Sequence, residues 1–155
     1  VVIGLLDARK LGWKVDEDRL QRALAAIRHC RLPNGAYSYS VNLIPSPGGL
    51  TNIDQVKGSL SRIQVCNLAL QQAALVGLED ESLVVDTAEM EQGLRYFFRD
   101  HRFLDIAAGR PIPHEAWYHN SGYFYFFGHY YAAQDRDNLA HVGCENHQHA
   151  PNQQR

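Results

Sequence analysis

The chain is poor in the residues that staple or anchor a protein. Three cysteines, Cys30, Cys66 and Cys144, in 155 residues are an odd and sparse set. They exclude the dense, even framework of small secreted domains, and reduced thiols are the simpler reading. No charge sign prevails either. Fifteen Lys+Arg against seventeen Asp+Glu leave a net charge of -2 and a pI near 6.5. That balance offers no broad attraction for a nucleic-acid backbone or an anionic membrane. No apolar run approaches the roughly eighteen residues of a spanning helix. No initiator methionine or basic flank precedes the apolar stretch Val1 to Leu6, so the chain reads as a fragment, with a lost leader upstream left open.

What remains is ordinary globular material, 45% hydrophobic and 21% charged. At roughly 150 residues per domain, the length suits one domain that folds without a disulfide or metal staple. Apolar spacing up to Leu11, followed by Gly12, predicts the end of one helix. Asp16, Glu17 and Asp18 suit the positive end of a second, which runs through Leu20, Leu24 and Ile27 to Cys30 and stops at Leu32-Pro33-Asn34-Gly35. A loop follows from Gly35 to Gly58, longer than structureless connections usually are. Ser59 is the expected cap of a third helix that Gly77 closes. Ser82 is the expected cap of a fourth, carrying Leu83, Met90, Leu94, Phe97 and Phe98.

After the polar stretch Arg99 to Arg102 come a short apolar patch, Phe103 to Ile106, and a Gly/Pro connection, Gly109 to Pro113. The segment His114 to Ala133 is dense in aromatics. Its length without a turn signal and its Ala132-Ala133 end favour a buried helix over a strand. Apolar content falls from Gln134 onward, and Asn146 to Arg155 reads as a disordered tail. The order helix, turn, helix recurs, with Leu5 to Ile27 loosely repeated at Leu70 to Phe97. The expected fold is therefore all-α, built of antiparallel helical hairpins.

Three segments carry a resemblance. Asp16 to Tyr39, ending in Arg31-Leu32-Pro33-Asn34-Gly35-Ala36-Tyr37-Ser38-Tyr39, resembles the repeat of the terpenoid cyclase and protein prenyltransferase superfamily. Gly58-Ser59-Leu60-Ser61-Arg62, leading toward Cys66 and Ala69-Leu70, is a second match. Phe126-Phe127-Gly128-His129-Tyr130-Tyr131-Ala132-Ala133 is similar to a segment of bacterial squalene-cyclase-like proteins. The resemblance implies an α/α toroid. Residues 1–135 would supply about three of its hairpins, and 136–155 a polar, His-containing, flexible tail. It further implies an apolar or isoprenoid-type ligand within the ring. The remainder of that toroid, or self-association, would cover the faces left bare.

The family's chemistry does not carry over. The nearest string to the Asp-x-Asp-Asp acid of cyclases is Asp16-Glu17-Asp18-Arg19, which lacks the last aspartate. Neither Cys30 nor Cys66 has the aspartate two positions earlier that a prenyltransferase zinc site uses. Gly143-Cys144-Glu145-Asn146 departs from the Gly-Cys-Gly-Glu-Gln string of thioester domains. No catalytic residue is assigned, and no cofactor is expected. The alternative function is a non-catalytic helical repeat module for protein or glycan contacts.

Trp117, Tyr118, Tyr123, Phe126, His129 and Tyr130 are the candidate ligand-binding residues, with aromatic faces able to stabilise a cation. The same aromatics equally suit an inner-helix core. Gly122 and Gly128 fit close helix approach. His114, His119 and His129 do not share a helix face, since five residues turn through about 140°, and no metal site is assigned to them. His129 can also serve in proton transfer or be a satisfied core histidine. Whether His141, Cys144, His147 and His149 bind metal stays open, because they meet no standard finger spacing. Arg62, Arg95 and Arg99 suit either an acidic group or solvated helix faces.

Overall fold

Helix formation follows local rules in the first half of the chain. The Asp16 side chain accepts a hydrogen bond from the Arg19 amide at 3.1 Å, starting α2 (Glu17–His29) where its carboxylates meet the positive helix end. α1 (Val2–Lys10) precedes it, and Gly12 turns the chain between them in the left-handed region at φ 81°. The computed structural model describes residues 1–41, 51–77, 85–112 and 114–148, with 141–148 as backbone only.

Four further helices follow: α3 (Val56–Leu75), α4 (Thr87–Arg99), α5 (Arg102–Ala108) and α6 (Gly122–Gln148). Among the described residues the secondary structure is helical, with a single isolated bridge between Arg31 and Tyr37 and no strand. The all-α class and the helical hairpins expected from the sequence are present.

Three boundaries differ from expectation. α3 begins at Val56, so Ser59 is not its cap; it lies buried in the second turn, and its hydroxyl accepts the Tyr37 amide. α4 is capped by Asp86, which forms a reciprocal capping box with Glu89. Ser82 and Leu83 lie outside the described residues. The helix expected from His114 starts at Gly122 instead, because Asn120 and Ser121 hold the preceding chain in a non-helical path. α6 then continues through Gln148.

α3 is the central helix, buried along most of its length. α4 runs antiparallel to it: the Gln64 amide donates to the Gly93 carbonyl at 3.1 Å, and Asn67 reaches back toward the Glu89 carbonyl. α6 runs parallel to α3, since Ser61 donates to the Phe124 carbonyl at 2.7 Å and Asn138 to Gln71 at 3.0 Å. Small residues allow the approach. A Cβ on Gly128 would lie 2.5 Å from the Ser61 hydroxyl and 3.0 Å from the Phe97 ring. One on Gly93 would lie 2.7 Å from the Asn67 amide.

Two apolar clusters fill the bundle. Leu6, Leu20, Leu24, Leu70 and Met90 join α1 to α4 at one end, and Leu60, Phe97, Leu104 and Phe124 join α3 to α6 at the other. Burying each such side chain contributes about 1.5–3 kcal/mol.

Candidate functional site

The turn after α2 is built by Asn34 and Gly35. The Asn34 side chain accepts the Ala36 amide at 3.1 Å, and Gly35 takes φ 81°, so the chain doubles back in an Asx-type turn. That reversal delivers Tyr37 to α3. Its amide donates to the Ser59 hydroxyl at 3.0 Å and its phenol to the Asn67 side-chain oxygen Oδ1 at 2.8 Å. Burial pushes the Tyr37 phenol well above its ordinary pKa, so it stays protonated and remains a donor. Arg62 completes the clasp by donating to the Tyr37 and Ile53 carbonyls and lying over the Tyr39 ring.

Asp54 lies beside that arginine. Burial raises its pKa, but hydrogen bonds from Thr51 and the Tyr39 amide, with the Arg62 charge, outweigh the burial and hold it below the ordinary value. Burial lowers the pKa of Arg62 in turn, and its Nε and Nη1 have no hydrogen-bond partner among the described residues.

The α5–α6 connection closes over the same end of α3. His114, Tyr118 and His119 adopt left-handed backbone at φ 63°, 59° and 58°. Such conformations are unfavourable for residues with a Cβ and persist where surrounding contacts fix them. The contacts are specific here. Asn120 donates to the Lys57 carbonyl at 3.0 Å, and the Lys57 ammonium lies 5.3 Å from the Tyr118 ring centre. A Cβ on Gly58 would lie 2.5 Å from the Asn52 carbonyl and 2.7 Å from that of Tyr118, so three backbone segments meet there only because position 58 is glycine.

Two concavities accompany these elements. One, of about 350 Å³, is lined by Asn34, Gln55, Val56, Lys57 and Arg99. The other, of about 440 Å³, is apolar and lies between helices. Val2 and Ile3 of α1, Val65 and Ala69 of α3, and Phe127 and Tyr131 of α6 form its walls, with Ile27 and Cys66 completing them. Burial pushes the Cys66 thiol up to about 12, so it behaves as a small apolar wall rather than a nucleophile.

The six candidate residues fall in three places. Tyr118 packs edge-on against Phe103 in the α5–α6 connection, while Trp117 beside it is mostly exposed. Tyr123, Phe126 and Tyr130, three and four residues apart, form one exposed face of α6. The expectation that α6 is buried on every side therefore gives way to a helix with one bare aromatic edge. His129 turns inward: its Nε2 lies 2.8 Å from Nε2 of His101. None of the six lines the apolar cavity; the α6 aromatics that do are Phe127 and Tyr131.

Sequence reasoning missed His101, which sat in what read as a polar helix end, and Asp135, a fully buried carboxyl on α6. The side chains of His141, Cys144 and His147, and all of His149, lie outside the described residues. No family model matches the chain, and no curated protein or solved structure does.

Proposed function

We propose that this chain is a non-catalytic binding module of helical hairpins, of the squalene-cyclase-like toroid kind its sequence resembles, taking an apolar, isoprenoid-type ligand between α1, α3 and α6. The observation that carries this reading is the apolar cavity of about 440 Å³. Its volume lies within the usual range for small-molecule sites. The Phe127 and Tyr131 rings meet edge-on at 4.9 Å across its α6 wall, a surface suited to branched hydrocarbon. The described lining includes no carboxylate and no imidazole, so the reading is binding rather than turnover.

Titration with farnesol as the isoprenoid probe tests it. A ligand at one hundred times its Kd stabilises the folded state by about 2.7 kcal/mol, readable as a rise in Tm. A69F, which fills the cavity, abolishes the rise. If farnesol leaves Tm unchanged, or A69F responds like the parent, the cavity is not the site.

One observation favours the alternative of a module for protein or glycan contacts: the exposed row of Tyr123, Phe126 and Tyr130. Aromatic faces at a surface suit contact with another macromolecule. In that reading Y123A/F126A/Y130A removes binding to a partner and leaves the farnesol response intact.

A further inference from the structure

The strongest unexplained cluster is the pair of imidazoles joining α4–α5 to α6. His101 Nδ1 lies 3.0 Å from Asp105 Oδ2, and His129 Nδ1 lies 2.6 Å from the Tyr125 carbonyl oxygen. Both partners accept only, so each Nδ1 carries hydrogen when its bond is made. In two neutral rings the consequence is fixed: both Nε2 atoms present lone pairs, and these face each other at 2.8 Å. An electrophile between them, a proton or a metal ion, removes that repulsion.

Two features suit a metal ion. Each ring has its second nitrogen anchored by a carboxylate or a backbone carbonyl, the arrangement that orients metal-binding histidines and raises their basicity. The rings are edge-on to each other and hemmed by Phe97 and Tyr125, which fixes their orientation. The nitrogen separation also discriminates between ions. With metal–nitrogen bonds of about 2.0–2.1 Å, two ligands at a right angle sit about 2.9 Å apart, and two at a tetrahedral angle about 3.4 Å apart. A separation of 2.8 Å fits the right angle of tetragonal Cu(II) or Ni(II) and equally an N–H···N hydrogen bond, so a shared proton is the competing occupant. The His101 side chain remains partly exposed, leaving solvent a path to the open positions.

We propose that His101 and His129 form a two-imidazole site for one tetragonal divalent ion, Cu(II) above all, with Asp105 and the Tyr125 carbonyl positioning the two rings. Water completes the coordination. Affinity for a given nitrogen site rises along the first-row series to copper, which makes Cu(II) the appropriate probe.

The test titrates CuCl2 into the full chain carrying H141N, C144S, H147N and H149N, so that the C-terminal ligands cannot compete. One equivalent binds, and the C–H resonances of both His101 and His129 broaden together in proton NMR spectra. H101N and H129N each weaken binding at least tenfold, and D105N weakens it about tenfold by releasing the His101 ring. Asp105 is exposed, so D105N and H101N keep the test open if H129N does not fold. Absence of stoichiometric binding at 100 μM Cu(II), or affinity within twofold of the parent in both H101N and H129N, overturns the proposal and leaves the pair as holder of a shared proton only.

Discussion

The first two hairpins and the third solve the same problem at different cost. In α1–α2 and α3–α4 the first helix is followed by a left-handed glycine, Gly12 or Gly77, and the second starts on a carboxylate cap, Asp16 or Asp86. α5–α6 turns through His114, Tyr118 and His119, all left-handed and none glycine, and α6 carries a buried carboxyl without a hydrogen-bond partner among the described residues. Each strained residue costs on the order of 1–3 kcal/mol. Local rules therefore start α2 and α4, whereas the last hairpin is held by tertiary contacts to α3 and α4.

Asp135 offers the largest effect with which to sharpen that contrast. It is fully buried, and neither carboxyl oxygen has a hydrogen-bond partner among the described residues. Burial raises its pKa from 3.8 to about 8. The folded state therefore keeps a proton that the unfolded chain releases near pH 4. Between about pH 4 and pH 8 the unfolded state binds fewer protons, so this group's contribution to stability falls as pH rises, by about 1.4 kcal/mol per pH unit, and levels off above pH 8. Urea unfolding at pH 5, 7 and 9 measures it. D135N, which cannot ionise, flattens the curve across that window and is more stable than the parent at pH 9. A parallel pair of curves breaks the comparison by showing that α6 holds no ionisable cost there.

Glycine substitutions come next in size, because they separate packing from propensity. Gly128 sits against Ser61 and Phe97 on two different helices, so G128A must displace one of them and loosen the Ser61–Phe124 bond. A loss of about 1–3 kcal/mol is expected. Gly4, inside α1, would place a Cβ with nothing within 4 Å. G4A therefore gains about 0.5–1 kcal/mol from helix propensity alone. Opposite signs in thermal unfolding of the two variants support the division between local and tertiary control; equal signs break it.

That division also explains what was legible in the sequence. Gly12, Gly77 and the Pro33-Asn34-Gly35 turn announce themselves because a left-handed or Asx turn needs particular residues at particular places. The all-α class followed from periodicity, and the helical state of Tyr123 to Ala133 from its length without a turn signal and its Ala132-Ala133 end. Ser59 misled because its hydroxyl serves Tyr37, 22 residues away in sequence, rather than a local helix end. The imidazole pair was invisible for the same reason: His101 and His129 are 28 residues apart on different elements, and no spacing rule joins them. Phe127 and Tyr131 could not be separated from Phe126 and Tyr130 by composition, since the face each occupies depends on where α1 and α3 pack.

The smallest effect is the cleanest test of the turns themselves. Gly12 has φ 81° and open space around a notional Cβ, so G12A changes backbone preference alone. The left-handed conformation costs an L-residue about 1–2 kcal/mol, while losing glycine's freedom in the unfolded chain returns about 0.4–1 kcal/mol. The net expectation is a loss of about 0.5–1 kcal/mol. His119 is the mirror case. It is exposed, its φ is 58°, and the contact its residue supplies to His114 comes from the backbone carbonyl, which glycine retains. H119G relieves the same strain and accepts the same unfolded-state cost, for a net gain of about 0.5 kcal/mol. Tyr118 would not serve, because its ring packs on Phe103 and beneath Lys57. Chemical denaturation of G12A and H119G side by side resolves differences of this size. If H119G loses stability instead, the imidazole of His119 supplies a contact that outweighs its strain, and the third hairpin is costly for a different reason than its backbone.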